Sequence, residues 1–203
     1  MIEQRSDDWF AARLGKVTAS RIADVMAKTR NGYGASRANY MAQIICERLT
    51  QARTETFTSA AMQWGTEKEP EAKAAYAFAY DLEVQEAPFV DHPSIEMSGA
   101  SPDGYVGDDG LTEIKAPNTS THIDTLISQA IPNKYLLQMQ WQMACTGRQW
   151  CDFVSYDPRM PPHLQMWVKR VERDDKLIAE VEAEVVKFLQ EVNDKLAQLE
   201  AIK

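Results

Sequence analysis

The stretch from residue 101 to residue 117 constrains the fold of this chain most strongly. Ser101-Pro102-Asp103-Gly104 is a strong turn signal, and short β-prone runs follow at 105–106 and 111–115 around a Gly-Asp-Asp-Gly turn. Pro117 ends the second run, because proline cannot donate to a sheet ladder. We therefore predict a tight β-hairpin in the middle of the chain.

Helical patterns lie on both sides of this hairpin. Predicted helices cover 6–13, a short segment opened by Thr18 or Ser20, 38–50, 65–80, 122–131, 133–146 and 173–202. Predicted strands cover 83–90, 94–99, 150–156 and 164–171, and 30–37 is expected to be a polar loop. Pro70 fits the helix at 65–80 only near its first turn. The order predicts a mixed α/β or α+β fold, with a central mixed sheet flanked by helices and a long C-terminal helix.

Length and composition agree with a soluble globular protein. The 203 residues suffice for one domain, 1–203, with a sizeable core. The sequence has no apolar run long enough to span a bilayer and no signal-peptide core, so a cytoplasmic protein is expected. Three cysteines without a Cys-x-x-Cys pair do not suggest a disulfide framework, and they cannot supply the four cysteine ligands of an iron–sulfur nuclease.

The net charge of −8 argues, taken alone, against a nucleic-acid partner. The charges are unevenly distributed, however. Residues 1–40 contain seven basic and four acidic side chains, whereas residues 171–203 contain five basic and nine acidic ones. The acidic excess therefore lies partly in the tail, and the basic excess of residues 1–40 remains compatible with DNA.

The predicted hairpin groups three side chains that suit one chemistry. Alternate side chains of a strand share a face, so Glu113 and Lys115 should point the same way while Ile114 faces the core. Asp103 lies in the turn upstream, where the hairpin can fold it back beside Glu113. Two carboxylates and an ammonium then converge at one end of a sheet.

Phosphodiester hydrolysis requires such a set. Carboxylates hold Mg²⁺, which prefers oxygen ligands and activates both a phosphoryl oxygen and a water. Asp103 and Glu113 are the predicted ligands, the backbone carbonyl of Ile114 is an additional one, and Lys115 would orient the water and offset developing charge. A Glu-x-Lys pair is also common on solvated strands, so the motif alone leaves both interpretations open.

Flanking polar residues strengthen the catalytic interpretation. Glu69, near the start of the predicted helix at 65–80, is a candidate third carboxylate, although an acid there also suits the helix dipole. Gln138 and Gln142 would share one helix face in an otherwise apolar segment, where their amides need partners. Glutamine is also a good helix former that often faces solvent.

With these residues in view, the sequence resembles the lambda-exonuclease/YqaJ-like family of phage recombination nucleases, a branch of the PD-(D/E)XK superfamily. The similar segments are RLGKVTAS at 13–20, WGTEKE at 64–69, SPDG at 101–104, EIKAP at 113–117, the Gln138–Gln140 segment and YDPRM at 156–160. They occur in the family's order and extend over residues 9–160.

The resemblance implies a restriction-endonuclease-like PD-(D/E)XK core and a ring-shaped homotrimer. It also implies Mg²⁺-dependent alkaline exonuclease activity, with Mn²⁺ as a substitute, that digests one strand of linear double-stranded DNA processively from 5′ to 3′. The 3′ single strands would pass to a single-strand-annealing recombinase in a bacterial host, where the protein would be phage or prophage encoded. No membrane partner is implied.

The resemblance also assigns roles to individual residues. Asp103 and Glu113 are matched to metal ligands, Lys115 to a catalytic lysine, Glu69 to a helper carboxylate and Gln138 to support of the water or metal shell. Arg13, Ser20 and Ser101 are matched to a 5′-phosphate pocket. One departure concerns the loop after Pro117, where a basic residue is expected and His122 is the nearest replacement.

Arg13 and Ser20 also suit an anion on residue grounds. Ser20 lies at the predicted start of a helix, where free backbone N–H groups favour a phosphate, and Arg13 can present a planar fork. Ser20 equally suits a helix N-cap without a bound anion.

Two further alternatives remain open. The enzyme class includes a distributive or endonucleolytic nuclease on the same fold, and a non-catalytic DNA-binding recombination protein is a third reading. The closing helix has an apolar stripe that either packs on its own domain or contacts another subunit. Its members are Ile178, Val181, Val185, Phe188, Leu189, Val192, Leu196 and Leu199.

Overall fold

The computed structural model describes residues 4–54 and 59–202. Its helices are α1 (Asp7–Arg13), α2 (Ile22–Val25), α3 (Ala35–Thr50), α4 (Ala60–Tyr80), α5 (Thr119–Ser128), α6 (Asn133–Thr146) and α7 (Asp175–Glu200), with 3₁₀ turns at Ala19–Arg21 and Pro162–Leu164. Its strands are β1 (Val17–Thr18), β2 (Lys28–Thr29), β3 (Gly32–Tyr33), β4 (Val84–Gln85), β5 (Val90–Asp91), β6 (Ser98–Ala100), β7 (Gly104–Val106), β8 (Gly110–Lys115), β9 (Trp150–Tyr156) and β10 (Met166–Glu172). Within these ranges no helix is long and apolar enough to cross a membrane.

A five-stranded mixed sheet forms the centre of the fold. Its strand order is β10-β9-β8-β7-β4, in which β8 and β9 are parallel and the other neighbours are antiparallel. A smaller sheet has the order β1-β6-β5. Because β8 and β9 run in the same direction, their carboxyl ends at Lys115 and Tyr156 lie at the same edge. The predicted mixed sheet flanked by helices is confirmed.

Helices cover both faces of the central sheet. On one face, Ala72 and Tyr76 of α4 pack against Val106, Ile114 and Val154. On the other face, Met139 and Met143 of α6 pack against Leu111, Cys151 and Phe153 of the sheet. Alternation along β8 therefore directs Ile114 towards α4, while Leu111 and Glu113 face α6, as the strand pattern predicted.

The long closing helix α7 packs on its own subunit. Asp174 caps it by accepting hydrogen bonds from the backbone N–H groups of Lys176 and Leu177. Most of the predicted stripe lies in the core formed with α2, α3 and α6, namely Ile178, Val181, Val185, Phe188, Leu189 and Val192. Only Leu199, 42% exposed, extends beyond it. The stripe therefore matches the first of the two alternatives, that of a terminal helix buried in its own domain.

Several predicted elements were wrong in their bounds. The strand expected at 94–99 is present only as Ser98–Ala100, and the helix expected at 122–131 runs from Thr119 to Ser128. Helix α4 begins at Ala60, capped by the Ser59 hydroxyl, so Pro70 lies in its interior rather than in its first turn. Burial of Ala72 and Tyr76 offsets the lost hydrogen bond. The expected loop at 30–37 contains the β2–β3 hairpin and the start of α3.

The strand predicted at 83–90 is instead two short strands, β4 and β5, in different sheets. Pro88 lies between them and removes a backbone donor, so a single ladder cannot continue through this segment.

Candidate active site

The β7–β8 hairpin brings Asp103 against β8, as the sequence predicted. Gly104 pairs with Thr112, which places the preceding Asp103 beyond the end of the ladder. The Asp103 carboxylate accepts a hydrogen bond from the Ile114 backbone N–H at 2.6 Å. Position 104 requires glycine, because a Cβ there would lie 2.4 Å from Val84 Cγ1. The close approach of β4 thus fixes the turn that holds Asp103.

Glu113 is enclosed by donors from α6 and from its own strand. Its side chain is fully buried, and the amide nitrogens of Gln138 and Gln142 donate to its two carboxylate oxygens, each at 2.7 Å. The Lys115 ammonium forms an ion pair with the same carboxylate. The predicted shared face of Gln138 and Gln142 is therefore present, and its partner is a carboxylate.

Gln140 has a different environment from these two glutamines. Its amide donates to the Glu172 carbonyl and accepts from the Asp174 N–H, so it ties α6 to the start of α7. In the alternating Gln138-x-Gln140-x-Gln142 pattern, the outer two residues contact the site and the middle one supports the fold.

Burial and neighbouring charges shift the pKa values of the ionisable groups in the site. Burial, followed by the nearby Asp103 carboxylate, raises the pKa of Glu113 to about 7, although Lys115 and Gln142 oppose this shift. The pKa of Glu69 is raised by the same two causes, burial and Asp103. Burial lowers the pKa of Lys115, but Glu113 and Asp103 outweigh it, so the ammonium is stabilised. The carboxylates of the site repel one another, while Lys115 stays charged.

A cavity of about 210 Å³ connects this centre with the predicted phosphate-binding residues. Its lining includes Arg5, Trp9, Arg13, Ser20, Glu69, Ser101, Asp103, Lys115 and Gln138. Of the predicted site residues only Glu113 and Ile114 are absent from this lining, and they lie behind it in β8. The structure therefore brings the predicted metal-binding, catalytic and end-binding residues together in one place.

Arg13 is held rigidly at one side of this cavity. Its guanidinium donates to Ser101 Oγ at 3.1 Å and lies 4.1 Å from the centroid of the Trp9 ring, while the Trp9 indole also donates to Ser101 at 2.9 Å. Burial lowers the pKa of Arg13 to about 10, which still leaves it cationic at neutral pH. Trp9 was missed by sequence reasoning, because nothing in the α1 pattern separates it from an ordinary core aromatic.

The structure changes the expected roles of Ser20 and His122. Ser20 lies inside the 3₁₀ turn Ala19–Arg21, and the helix that follows, α2, has only four residues, so no helix N-terminus is available to bind a phosphate. Ser20 itself is exposed in the cavity. His122 is fully buried, with its ring nitrogens bonded to Ser155 Oγ and the Leu164 carbonyl, each at 2.8 Å. It cannot replace a basic residue in a phosphate pocket.

Arg5 is a second residue that the sequence did not reveal. Its guanidinium contacts Glu69 at 2.5 Å and so connects the residues before α1 to α4. The two positions are 64 residues apart, and no periodicity links them. Only the fold brings this cation to the third carboxylate.

The donor set suits a hard cation such as Mg²⁺. Asp103 and Glu113 supply carboxylate oxygens, and the mutual repulsion that raises the pKa of Glu113 is the interaction that a cation would relieve. The Ile114 N–H faces Asp103, so its carbonyl is directed to the same side of the strand. In the described part of the chain, no three His, Cys, Asp or Glu side chains form a ready-made metal cluster. Backbone and water oxygens would have to complete the coordination.

A mixed sheet whose edge carries two carboxylates and a lysine, next to a half-buried arginine, is the arrangement expected of a nuclease. Comparisons with known proteins agree. Residues 8–149 match the model of a protein family described as "YqaJ-like viral recombinase domain". The chain belongs to this family, so the resemblance to lambda-exonuclease-like proteins is confirmed.

Solved structures specify the kind of nuclease. An alkaline exonuclease from Laribacter hongkongensis, LHK-Exo, is 55% identical over 96% of both chains with a TM-score of 0.90. A structure of LHK-Exo in complex with dAMP is 56% identical, with the same coverage and TM-score. A phage-related exonuclease from Haemophilus somnus 129PT shares the fold at 15% identity and a TM-score of 0.75, covering 91% of this chain and 96% of that one. The present chain is therefore a DNA exonuclease with the fold of an alkaline exonuclease.

A shorter match involves ExoD, an uncharacterized protein of Escherichia coli (strain K12). It is 31% identical over 71 residues, which is 35% of this chain and 80% of that protein.

Proposed function

We propose that this protein is an Mg²⁺-dependent exonuclease that digests one strand of linear double-stranded DNA processively from the 5′ end. Its products would be nucleotides and a 3′ single-stranded overhang for recombination by annealing. Mn²⁺ would substitute for Mg²⁺, since both accept oxygen ligands. Dependence on alkaline pH is supported by the pKa of about 7 for Glu113, which must be ionised to bind a cation.

Each residue of the site has a role in this proposal. Asp103, Glu113 and the Ile114 carbonyl would hold the ion, which when bound supplies Lewis acidity and lowers the pKa of an attacking water. Lys115 would orient that water and stabilise charge on the phosphoryl group. Gln138 and Gln142 fix the Glu113 carboxylate from both sides. Glu69, contacted by Arg5, would act as a helper carboxylate at the edge of the cavity.

The observation that favours exonuclease over endonuclease is the continuity of the cavity. Arg13, Ser20 and Ser101 line the same space as Asp103 and Lys115. A half-buried cation in the same cavity as Asp103 and Lys115 suits the doubly charged terminal phosphate of a 5′ end. A strand bound in this way would be cut one nucleotide from its end, which sets the direction of digestion.

One assay separates this proposal from its alternatives. Purified protein is incubated with 5′-phosphorylated linear duplex, with 5′-hydroxyl linear duplex and with covalently closed circular duplex, each with Mg²⁺ or with EDTA. We expect mononucleotides from linear duplex only, with Mg²⁺ only, and faster from 5′-phosphorylated ends. Cutting of the circle would instead indicate an endonuclease, and intact DNA in every lane would indicate a binding protein.

Arg13→Ala tests whether Arg13 binds the 5′-terminal phosphate. A charge-assisted contact is worth roughly 1.5–3 kcal/mol, so the preference for phosphorylated ends should fall by about one to two decades. Arg148→Ala is a matched control, because Arg148 contacts the Gly107 and Gly110 carbonyls at the opposite end of the hairpin. Equal slowing of both kinds of end by Arg13→Ala would show that the residue does not read the phosphate.

Processivity requires that the protein stay on the DNA despite its net charge of −8. A ring-shaped homotrimer around the duplex would retain it by topology rather than by salt-sensitive attraction. Sedimentation at micromolar concentration should give a trimer, and a monomer would contradict this part of the proposal. The 3′ overhang would pass to a single-strand-annealing protein. A pull-down with a candidate annealing protein of the same phage or prophage can test this partnership.

A further inference from the structure

The YDPRM segment has no role in the site described above, although it lies at the same edge of the sheet. Asp157, directly after β9, is fully buried, and Arg159 donates to its two carboxylate oxygens from Nε at 2.7 Å and from Nη2 at 3.0 Å. The Arg159 backbone N–H donates to the same carboxylate at 3.0 Å. The guanidinium is thus fixed in one orientation by a carboxylate that solvent does not reach.

Two further contacts place this guanidinium beside the catalytic strand. Its Nη2 donates to the Pro117 carbonyl at 3.3 Å, and Pro117 follows Lys115 closely in the loop after β8. The guanidinium also lies 4.2 Å from the centroid of the Trp64 ring, in the α4 turn that precedes Glu69. Arg159 therefore contacts the loop that follows β8 and the α4 turn that precedes Glu69, two segments next to the proposed catalytic side chains.

The remaining edge of Arg159 is open. Nη1 has no hydrogen-bond partner among residues 4–54 and 59–202, and 45% of the side chain is exposed. The other charges nearby are Lys68, 5.2 Å from the same Trp64 ring, and its partner Glu71. Because the Asp157 charge is buried and the Arg159 edge is exposed, the group presents a cation and N–H donors to the outside.

We propose that Arg159 binds a backbone phosphate of the DNA strand near the point of cleavage. A fixed guanidinium with two free N–H donors matches the geometry of a phosphate and loses little side-chain entropy on binding. This inference rests on the proposed nuclease function and adds a residue that positions the strand. In this arrangement Asp157 is a positioning residue, which acts through Arg159.

The chain contains a close internal control for this proposal. Arg170 contacts the buried Asp152 through Nε and Nη2, both at 2.9 Å, and lies 3.5 Å from the Trp150 ring centroid. Its side chain is 48% exposed, close to the value for Arg159. Asp152 lies five residues before Asp157, roughly 16 Å back along β9 and away from the catalytic edge. The two arginines share the two-nitrogen contact with a buried carboxylate and the aromatic neighbour, and they differ in position. Asp152 also accepts from the Tyr76 hydroxyl, and Arg159 also donates to the Pro117 carbonyl.

The test measures the affinity for a 5′-phosphorylated duplex by fluorescence anisotropy in EDTA, so that no digestion occurs, at salt concentrations between 50 and 200 mM. Arg159→Gln should weaken binding about tenfold and lower the slope of log K against log salt by about 0.9, the contribution of one phosphate contact. Arg170→Gln should leave the slope at the wild-type value.

A second pair of variants removes the risk that a buried, unpaired Asp157 unfolds the protein. Asp157→Asn combined with Arg159→Gln removes both charges, and Asp152→Asn with Arg170→Gln is its matched control. The first double variant should show the same loss of slope, and the second should show none. A wild-type slope in the first would overturn the proposal and make Arg159 a structural support for the Pro117 loop.

Failure of this inference is distinguishable from failure of the proposed function. If the wild type releases no nucleotides from linear duplex with Mg²⁺, the nuclease proposal and this inference both fail. If the wild type digests DNA while Arg159→Gln keeps the full salt slope, only the role of Arg159 is wrong.

Discussion

Glu113 and Asp157 are two fully buried carboxylates at the same edge of the central sheet, yet their surroundings are opposite. Burial and the neighbouring Asp103 raise the pKa of Glu113 to about 7. Burial would also raise the pKa of Asp157, but hydrogen bonds from Arg159 and Thr119 outweigh it and lower the pKa to about 2. Glu113 lies beside another acid, whereas both carboxylate oxygens of Asp157 accept hydrogen bonds from one guanidinium.

The difference shows how the same type of group can serve the fold or the function. Asp157 is neutralised within the protein, so its charge strengthens the structure and stays constant over the physiological pH range. Glu113 is only partly neutralised by Lys115 and two neutral amides, and a second carboxylate lies close by. Its charge is therefore available to a cation from outside, as the proposed metal-binding role requires.

The largest effect should come from removing the carboxylate of Asp103, the acid beside Glu113. Asp103→Asn keeps the acceptor for the Ile114 N–H but removes one proposed metal ligand, so the rate of digestion should fall by roughly a thousandfold or more. Single-turnover digestion measures the loss, and circular dichroism verifies the fold. Asp108→Asn, in the exposed turn at the other end of the hairpin, should keep wild-type activity. Full turnover by Asp103→Asn would remove Asp103 from the site.

The pH dependence of activity sharpens the same comparison. Glu113 is an acid with a raised pKa, so it is protonated and unable to bind a cation below about pH 7 and ionised above it. At limiting Mg²⁺, kcat/KM should therefore fall about tenfold per pH unit below that point and level off above it. Initial rates between pH 5.5 and 9 give the profile. A flat profile over this range would contradict the assigned ionisation.

Stabilisation by the metal is a smaller effect with a separate readout. Mg²⁺ that binds only the folded protein should add about 2.7 kcal/mol at a hundredfold excess over Kd, which shifts Tm by several degrees. Thermal unfolding of the wild type at pH 8 should show this shift, and Asp103→Asn should lose most of it. An equal shift in both proteins would mean that Mg²⁺ binds elsewhere.

The parts of the fold that the sequence predicted well are those with strong local signals. The bounds of α6 and β9 agree with the expected 133–146 and 150–156, because both segments are largely apolar and Gly147 ends the helix. The hairpin that brings Asp103 to Glu113 followed from two turn signals. These short-range features also located the centre of the site.

The misses depend on contacts between distant segments. His122 was the nearest replacement for a basic residue of the phosphate pocket, but it is buried, and Ser155 and the Leu164 carbonyl satisfy its ring. Arg5 and Glu69 are distant in sequence and come into contact only in the folded protein. Asp157 and Arg159 stood out as part of a recognisable motif, but sequence gave no indication that Trp64 and Pro117 would surround the guanidinium.

The smallest predicted effect concerns Asp157, whose pKa is lowered in the folded state. An acid of this kind stabilises the fold above its unfolded pKa of about 3.9, and the stabilisation is lost as pH falls towards the folded value of about 2. Asp157→Asn should therefore cost about 1–2 kcal/mol near neutral pH, less than the full shift because half of Arg159 is solvated. The loss should shrink between pH 4 and pH 2, because the unfolded wild type becomes protonated in this range and the folded wild type follows as the pH approaches 2.

Denaturant unfolding of both proteins at pH 7 and at pH 2.5 measures this difference. Mg²⁺-induced stabilisation should persist in Asp157→Asn, because none of the proposed metal ligands contacts Asp157. A variant that loses the Mg²⁺ effect together with its stability would show that the two buried carboxylates are coupled, and the division between a structural and a functional acid would then not hold. A variant that is less stable but responds to Mg²⁺ as the wild type does would confirm that the two carboxylates act independently at one edge of the sheet.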